Sequence, residues 1–438
     1  MTLPPAPGGR EGRAALRALL RERSLLAALQ TLHVRMGDIF RMSIPGFAPI
    51  MLAGPLANRF LLVHARRSFK WRTPTDPITR LLGHGLLVED GNEHDHLRRL
   101  VSPALRRSAL GQYVPAIWAR TEQTCSRWRT GQYVDILPEM RRATLLILVD
   151  CLFGADLTPD LDRLWPHILR TLKYISPGAW LVWPKVPRPG YARSLREVDR
   201  YLYNLIRARR DSMRNEDDML GLLLAEPGMN DRMVRDQLLT MLIAGHDTST
   251  AHLTWAVYLL GAHPSAARRA REEVDRELGS QQGLPSVEQL ERLEYLGQMV
   301  NEALRLYPPI HIGNRQAAED VQFGEYQIPA RNRVMYSIYL AHRDPQHWTC
   351  PHRFDPERFS QRRKREIEPY SYLPFGGGPR NCVGAAFAQL EARAVLAYLL
   401  RHFEWSPAKG RVGMRMGATL EPKPRVVVRI RRRQGRTG

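Results

Sequence analysis

Cysteine is scarce in this sequence, with four residues in a chain of 438. They stand at Cys125, Cys151, Cys350 and Cys382, and no two of them form a CxxC pair. A disulfide framework or a zinc ribbon needs more cysteines at closer spacing, so both are disfavoured. This sparse use of cysteine is typical of proteins from a reducing compartment.

Long apolar runs are also absent. A membrane-spanning helix needs about 20 consecutive apolar residues, and runs such as Leu145–Val149 fall far short of that length. The first residues have neither the apolar core nor the cleavage site of a signal peptide. We therefore expect no membrane span and a cytoplasmic location. The arginines among Leu and Ala near the N-terminus fit either a surface helix of the fold or a basic amphipathic helix on a membrane.

Acidic residues and lysine are under-represented. The chain has 44 acidic and 65 basic residues, and 59 of the basic residues are arginine. The net charge of +21 is compatible with a nucleic acid, an anionic membrane or an acidic protein as partner. The arginines are spread evenly, and no domain-sized basic block with interleaved aromatics occurs. A nucleic-acid partner is therefore not expected. Most of this charge is interpreted as solvated surface.

No internal repeat or low-complexity linker divides the chain. With 44% apolar residues it can form a large core, so we predict a single domain over residues 1–438, with 1–10 and 430–438 as frayed tails. The Pro- and Trp-rich stretch Ser176–Pro189 is predicted to be a long loop that forms a lid.

The periodicity of apolar residues predicts a mainly α fold with a minor β portion. Asn230 is the predicted N-cap of a very long helix that ends at Ala262, before His263-Pro264. Further helices are predicted over Ser265–Leu278, Ser286–Leu306 and Gly384–Phe403. Short strands are predicted within residues 39–63 and 321–340.

The most specific motif is the ten-residue segment Phe375–Gly384, with the sequence FGGGPRNCVG. Three consecutive glycines let the backbone adopt positive φ and approach a flat ligand closely. Cys382 follows, just before a helix, and a helix N-terminus favours the thiolate that binds metal. The alternative is a glycine-rich turn with a buried structural cysteine. Three glycines alone would favour that alternative, but here the ten-residue pattern is complete.

This segment and four further motifs resemble the cytochrome P450 superfamily of haem-thiolate monooxygenases. The resemblance implies the cytochrome P450 fold, with a long central helix over haem and small β-sheets. It implies haem b as cofactor and Cys382 as the axial ligand of its iron. Phe375 and Gly384 would line the cofactor beside the sulfur, and Arg380 would pair with a haem propionate.

The second motif, Ala244–Ser249 (AGHDTS), lies within the predicted long helix. Asp and Thr inside an apolar helix are costly unless they have partners. A local bulge at this point is expected, because Gly245 weakens the helix and the Thr248 hydroxyl can bond to a carbonyl one turn earlier. The resemblance makes Asp247 and Thr248 the acid–alcohol pair that delivers protons to dioxygen, with Ala244 beside the cofactor. A kinked core helix is the alternative.

The third motif joins Glu302 and Arg305, three residues apart, with the more distant Arg358. The resemblance assigns this trio a structural role ahead of the cysteine loop. In the fourth motif, His94 and Arg98 share one helix face, and the family places both on the haem propionates. Arg315 matches a further propionate contact. The fifth motif, Ala341–Pro345 (AHRDP), is interpreted as scaffold.

The predicted activity is insertion of one oxygen atom from O₂ into an apolar organic substrate, a fatty acid, a terpenoid or a similar lipid-like molecule. A peroxygenase or isomerase on the same fold, or a non-catalytic haem-binding module, are the alternatives. The chain is expected to be a monomer that takes electrons from an acidic ferredoxin or flavodoxin plus a reductase. Two basic clusters, Arg98-Arg99 with Arg106-Arg107 and Arg362–Arg365, are the expected docking surface. His84, His311 and Arg415 are the expected polar contacts of the substrate pocket.

Overall fold

The computed structural model describes residues 2–42, 48–73, 76–176, 188–212, 217–279, 283–408, 410 and 412–433. The central part of the predicted lid, residues 177–187, lies outside the described residues. In the described part, helices predominate and short strands form four small sheets, which confirms the mainly α prediction.

The helices are numbered in chain order over the described residues. They are α1 (Gly9–Glu22), α2 (Leu25–Met36), α3 (Gly54–Arg59), α4 (Pro77–Leu82), α5 (Gly91–Leu105), α6 (Val114–Cys125), α7 (Ile136–Phe153), α8 (Leu161–Ile175), α9 (Tyr191–Ser212), α10 (Met219–Ala225), α11 (Asp231–Ala262), α12 (Pro264–Leu278), α13 (Val287–Glu291), α14 (Glu294–Leu306), α15 (Ile338–Ala341) and α16 (Ala385–His402).

The strands are two to six residues long. They are β1 (Ile39–Arg41), β2 (Ile50–Leu52), β3 (Phe69–Lys70), β4 (Tyr133–Asp135), β5 (Gly313–Ala317), β6 (Val321–Phe323), β7 (Tyr326–Ile328), β8 (Arg333–Tyr336), β9 (Phe403–Pro407), β10 (Gly413–Met416), β11 (Leu420–Lys423) and β12 (Val427–Arg432). The largest sheet has the order β1-β2-β8-β5-β3, with β2 and β8 parallel. A three-stranded sheet has the order β4-β12-β9, and β6-β7 and β10-β11 form antiparallel pairs.

Helix α11 forms the centre of the core. The Asn230 side chain accepts a hydrogen bond from the Met233 amide at 3.0 Å, so it caps the helix as expected, and the helix ends at Ala262. At 32 residues the helix is about 48 Å long, enough to cross the domain. It packs against α7, α9, α14 and α16. Burial on all sides explains the apolar run near its middle, and the polar residues of the buried part need partners within the protein.

The predicted helix Ser286–Leu306 is wrong as one element, because the structure has α13 and α14 with a break at residues 292–293. Ser286 and Gln289 form a capping box on α13. The Glu273 carboxylate accepts hydrogen bonds from the amides of Tyr295 and Leu296, at 2.8 and 2.9 Å. This long-range carboxylate satisfies the first amides of a new helix, and it has no signature in the local sequence.

The expected frayed tails also differ from the structure. The Thr2 carbonyl accepts a hydrogen bond from the Gln327 amide at 3.0 Å, and the Pro5 carbonyl accepts one from the Arg41 amide at 2.8 Å. These backbone bonds fix the first residues against strands far along the chain. At the other end, Ile430–Arg432 belong to β12, whereas residues 434–438 lie outside the described part.

None of the helices in the described ranges is long and apolar enough to cross a bilayer.

Candidate functional site

The cysteine loop is a tight backbone turn that only glycine can form. Gly376 and Gly378 have φ of 71° and 67°, in the left-handed region. A Cβ on Gly378 would lie 2.3 Å from the Leu62 carbonyl oxygen, so the loop also needs glycine for close approach. The Cys382 amide donates to the Phe375 carbonyl at 2.8 Å. The two ends of the loop are therefore fixed to each other, with Cys382 just before α16.

The Cys382 side chain is exposed, yet its surroundings desolvate it. Desolvation raises the pKa of the Cys382 thiol, while a hydrogen bond from the Gly384 amide lowers it. An accessible sulfur surrounded by protein atoms lies in a concave surface rather than on a convex one. Val383, Ala385 and Ala386, which follow it in the chain, are half-buried. The sulfur therefore lies in a concave surface at the start of α16.

The middle of α11 opens in one place. From Val234 to Val257 every residue is buried except Ala244, Gly245 and Thr248, which are half-buried. Ala244 and Thr248 are one turn apart and share a face. The structure therefore places the predicted cofactor and alcohol positions on the only open patch in this stretch of α11.

The expected bulge is not present, since α11 is α-helical throughout residues 231–262. The Thr248 hydroxyl donates to the Ala244 carbonyl at 2.6 Å, in addition to the helix ladder. Gly245 has a packing role, because a Cβ there would lie 2.6 Å from Cδ1 of Leu148 on α7. The glycine thus permits close packing of two helices instead of breaking one.

Asp247 is 4% exposed and is held by two groups from other parts of the chain. Its carboxylate accepts from the Thr419 hydroxyl at 2.8 Å, and Arg141 of α7 lies 3.4 Å away. Arg141 also pairs with Glu421, which in turn pairs with the exposed Arg415. A row of charged groups therefore connects Asp247 to the surface. The sequence analysis missed Arg141 and Glu421, because nothing near either residue marks it as a partner of α11.

A second buried acid lies behind the same segment. The Ser249 hydroxyl, next to Thr248, donates to the Glu391 carboxyl of α16. Burial raises the pKa of Glu391 to about 8, and the hydrogen bond from Ser249 lowers it only in part. Glu391 is therefore mostly neutral at pH 7. This contact joins the helix of the acid–alcohol pair to the helix that follows the cysteine, and the sequence analysis missed it.

Two guanidinium groups lie against one indole ring. The Arg315 guanidinium lies 3.3 Å from the ring centroid of Trp71, and that of Arg380 lies 4.6 Å from it. Arg315 is 5% exposed and forms no ion pair with any residue that the structure describes. Desolvation lowers the pKa of Arg315 to about 10. The Trp71 Nε1 is buried and has no hydrogen-bond partner in the described part of the chain.

Arg380 and Arg98 are tied to the protein near the cysteine. Arg380 pairs with Asp90 at 2.9 Å and donates to the Glu89 carbonyl. Arg98 donates to the backbone and side-chain oxygens of Asn381, both at 2.7 Å, so it supports the residue before Cys382. Among the charged neighbours of the buried His94, Arg380 and Arg98 lower its pKa, after the larger effect of desolvation. The structure thus groups all four predicted propionate ligands beside the cysteine loop.

The Glu302–Arg305 pair is completely buried. Two nitrogens of Arg305 donate to the two carboxylate oxygens of Glu302, each at 2.7 Å, and Arg358 lies 3.5 Å from the carboxylate. Arg305 also donates to three backbone carbonyls. They belong to His342, Pro351 and Arg353. The trio therefore holds an irregular segment to α14, as a structural role requires.

His342 connects this trio to the cysteine loop. Its Nε2 accepts the Leu373 amide at 2.9 Å, so its Nδ1 carries the proton towards the Arg305 carbonyl, 3.2 Å away. Burial lowers the pKa of His342 well below its ordinary value, which keeps the ring neutral. Leu373 stands two residues before Phe375. His342 comes from the AHRDP motif, for which the sequence analysis assigned only a scaffold role.

These observations fit an iron porphyrin. The accessible sulfur matches a thiolate ligand for iron, and the half-buried Ala244 and Thr248 leave room beside α11. Arg315 donates to the Asn314 carbonyl at 2.7 Å but has no ion pair with a described residue. Its guanidinium and the Trp71 N–H are buried donors that suit the carboxylates of propionates. Cys382, His94, Arg315 and Arg380 would hold the group. When bound, it supplies the iron at which dioxygen is activated.

Comparisons with known proteins agree with this chemistry. The family profile described as cytochrome P450 matches residues 14–428. The chain is 31% identical to cyclooctatin synthase of Streptomyces melanosporofaciens, over 96% of this chain and 92% of that protein. It is 34% identical to cytokinin hydroxylase of Arabidopsis thaliana, over 74% and 67% of the two chains.

A solved structure of a cyanobacterial cytochrome P450 with bound retinoic acid has the same fold. Its TM-score is 0.85 at 26% sequence identity, and the match covers 99% of this chain and 100% of the other. Together with the cysteine loop and the open patch of α11, these matches show that the chain belongs to the cytochrome P450 family and is a cytochrome P450 monooxygenase.

Proposed function

We propose that the protein hydroxylates or epoxidises an apolar, lipid-like molecule, with terpenoids and fatty acids as the substrate class. One oxygen atom of O₂ enters the substrate, and the other is reduced to water with two electrons and two protons. The cofactor is haem b, and the electrons come from a separate acidic carrier. The protein acts as a monomer in the cytoplasm.

The observation that supports the proposed substrate class is that the three polar residues expected in the pocket already have partners within the protein. His84 pairs with Glu89 at 2.8 Å, and Arg415 pairs with Glu421. His311 is buried, lies 3.4 Å from the Pro309 carbonyl, and has its pKa lowered to about 4 by burial. Since each polar side chain already has a partner within the protein, polar recognition of the substrate is not favoured.

The segments expected to line the pocket beside these three residues are otherwise apolar. Leu86 and Met241 are buried, and Ile312, Met414 and Met416 are half-buried and pack on one apolar cluster. The loop before Leu86 is fixed to α11, because the Gln237 side chain bonds to the backbone of both His84 and Leu86. These walls suit an aliphatic molecule.

The names of relatives support the same class. They include cyclooctatin synthase, a cyclooctat-9-en-7-ol 5-monooxygenase and the retinoic acid complex. A peroxygenase, an isomerase or a haem-binding module remains the alternative, but none of these needs the acid–alcohol pair that Asp247 and Thr248 form.

The substrate class is tested by titrating the purified haem-loaded protein with a library of terpenes, fatty acids and polar aromatic compounds. Displacement of water from the iron shifts the Soret band, so binding is read as a spin-state change. We expect shifts with terpenes or fatty acids at micromolar concentrations. A response confined to the polar compounds would overturn the proposed class.

In the proposed mechanism, Asp247 and Thr248 move protons towards the open patch of α11. The Thr248 hydroxyl lies on that patch, whereas the Asp247 carboxylate points towards Arg141 and Thr419. Rotation of the Asp247 carboxylate away from Arg141 would let it bring a proton taken from solvent to the Thr248 hydroxyl, which passes its own proton on towards the open patch. Arg141 and Glu421 are positioning residues in this route.

The proposed electron donor docks beside the cysteine loop. A groove of about 480 Å³ is lined by Arg98, Arg99, Arg106 and Pro379, among others. Arg99 and Arg106 are exposed and form no ion pair with a described residue, so they are available to an acidic ferredoxin or flavodoxin. Of the second predicted cluster, Arg363 pairs with Asp355 at 3.1 Å. Among the described residues, no hydrogen bond or ion pair joins that cluster to the cysteine loop.

We therefore expect the double variant Arg99→Glu/Arg106→Glu to slow haem reduction by an acidic carrier at least about tenfold at low salt, since surface charge acts mainly on association rates. Stopped-flow reduction across a salt series measures this. The comparison is Arg362→Glu/Lys364→Glu, which makes the same change of charge in the second cluster. If the comparison variant is slowed and the groove variant is not, the carrier docks at the second cluster instead.

A further inference from the structure

Exposed apolar side chains are concentrated near the N-terminus. Among the described residues, nine large apolar side chains are more than about a third exposed, and five of them fall within the first 34 residues. They are Leu3, Leu16, Leu20, Leu25 and Val34. Single exposed leucines are ordinary, but such a concentration in a small part of the chain indicates an interaction surface.

Helix α1 arranges this apolar surface beside a row of positive charge. Leu16 and Leu20, which are 53% and 67% exposed, lie one turn apart on the same face. Ala15 and Ala18 are buried, so the leucines do not serve the contact with α2. The leucine pair is therefore an apolar strip that nothing in the described part of the chain covers.

Four exposed arginines form a second strip along α1. Their spacing of three, four and four residues places them on one face, roughly a quarter turn from the leucines. They are Arg10, Arg13, Arg17 and Arg21. Arg21 pairs with Glu22 at 2.7 Å, whereas the first three form no ion pair with any described residue. The helix thus offers unpaired guanidinium groups alongside two exposed leucines.

We propose that α1 binds the surface of an anionic lipid bilayer, with Leu16 and Leu20 at the acyl boundary and the arginines among the phosphates. A helix with leucines and arginines on adjoining faces and low overall hydropathy is suited to lie in that interface. Guanidinium groups bind phosphate by paired hydrogen bonds, and lipid tails accept leucine side chains without a shaped pocket.

Charge disfavours a second copy of the chain as the occupant. The segment from Gly9 to Arg23 carries five arginines and two glutamates, and the whole chain has a net charge of +21. Two copies meeting at this face would bring like charges together. Anionic headgroups have the opposite charge and form a continuous surface, which matches a strip rather than a pocket. This inference does not depend on the proposed substrate.

The test uses the full-length haem-loaded protein in co-sedimentation with vesicles of phosphatidylcholine alone or mixed equally with phosphatidylglycerol. We expect binding to the mixed vesicles at least about tenfold tighter than to the neutral ones, and weaker binding at high salt. Leu16→Ser/Leu20→Ser should weaken binding to the mixed vesicles about tenfold. Arg13→Glu/Arg17→Glu should remove the preference for anionic lipid.

Two matched controls make the same chemical changes elsewhere. Leu284→Ser replaces a leucine that is 54% exposed, and Arg99→Glu/Arg106→Glu reverses two unpaired arginines. Both should bind the mixed vesicles as the parent does. Equal binding by the parent to both vesicles, or equal loss in controls and α1 variants, would overturn the proposal. Reversible dimerisation that Leu16→Ser/Leu20→Ser abolishes, without vesicle binding by the parent, would identify a second copy as the occupant and also overturn it.

Discussion

Replacement of Cys382 by serine should leave a folded protein whose monooxygenase activity falls at least about 100-fold. A hydroxyl remains protonated near neutral pH and is a much poorer donor to ferric iron than a thiolate, so the electron donation that helps to break the O–O bond is lost. The fold should survive, because the loop is held by its glycines and by the Cys382 amide, which serine keeps.

Cys350→Ser is the matched control, since Cys350 is the other exposed cysteine in the described part of the chain. Turnover is measured with redox partners supplied, together with the carbon monoxide spectrum of the reduced protein. The control should retain the thiolate-shifted Soret band, and the Cys382 variant should lack it. Parental turnover by the serine variant at full haem occupancy would refute the role of Cys382.

Loss of the Thr248 hydroxyl should uncouple electron consumption from product formation. Proton delivery by a positioned side chain contributes typically 10²–10⁴-fold to a rate, so we expect Thr248→Ala to lower product yield by about tenfold or more. Peroxide should rise in its place while NAD(P)H is still consumed. The measurement is the amount of peroxide and of product per NAD(P)H.

Thr248→Ser separates this role from a structural one. Serine keeps the hydroxyl that donates to the Ala244 carbonyl, so its peroxide-to-product ratio should stay close to that of the parent. If the alanine and serine variants form the same amount of product per NAD(P)H, Thr248 serves only to bond to its own helix. The thermal stability of both variants should be similar, because Thr248 is half-buried and its partner is a carbonyl already in the helix ladder.

Local patterns were enough to predict the long helices and the motifs. The ends of α11 were correct because a capping Asn and a following Pro act on the backbone beside them. The break between α13 and α14 was missed because its cause, the Glu273 carboxylate, lies some 20 residues away in sequence and reaches it only in the fold. The expected bulge was wrong because Gly245 is needed for close packing against Leu148 on another helix.

In the functional site too, local motifs could be predicted from the sequence, whereas their distant partners could not. Residues within a motif, such as Asp247 and Thr248, can be named from their spacing. Their partners cannot, since Arg141, Glu391 and Trp71 are isolated residues whose importance depends on which helices pack together. Buried polar groups need partners, but the sequence does not say which distant residue provides them.

The buried Arg305 has a consequence for how this chain can vary in length. Its guanidinium donates to three carbonyls spread over the twelve residues from His342 to Arg353. It thus supplies hydrogen bonds that a neighbouring strand would otherwise provide to this irregular segment. A planar group fixed on both sides by Glu302 cannot follow those carbonyls if they shift. An insertion or deletion between His342 and Arg353 would therefore misplace these acceptors. The stretch beside Arg305 should keep its present number of residues.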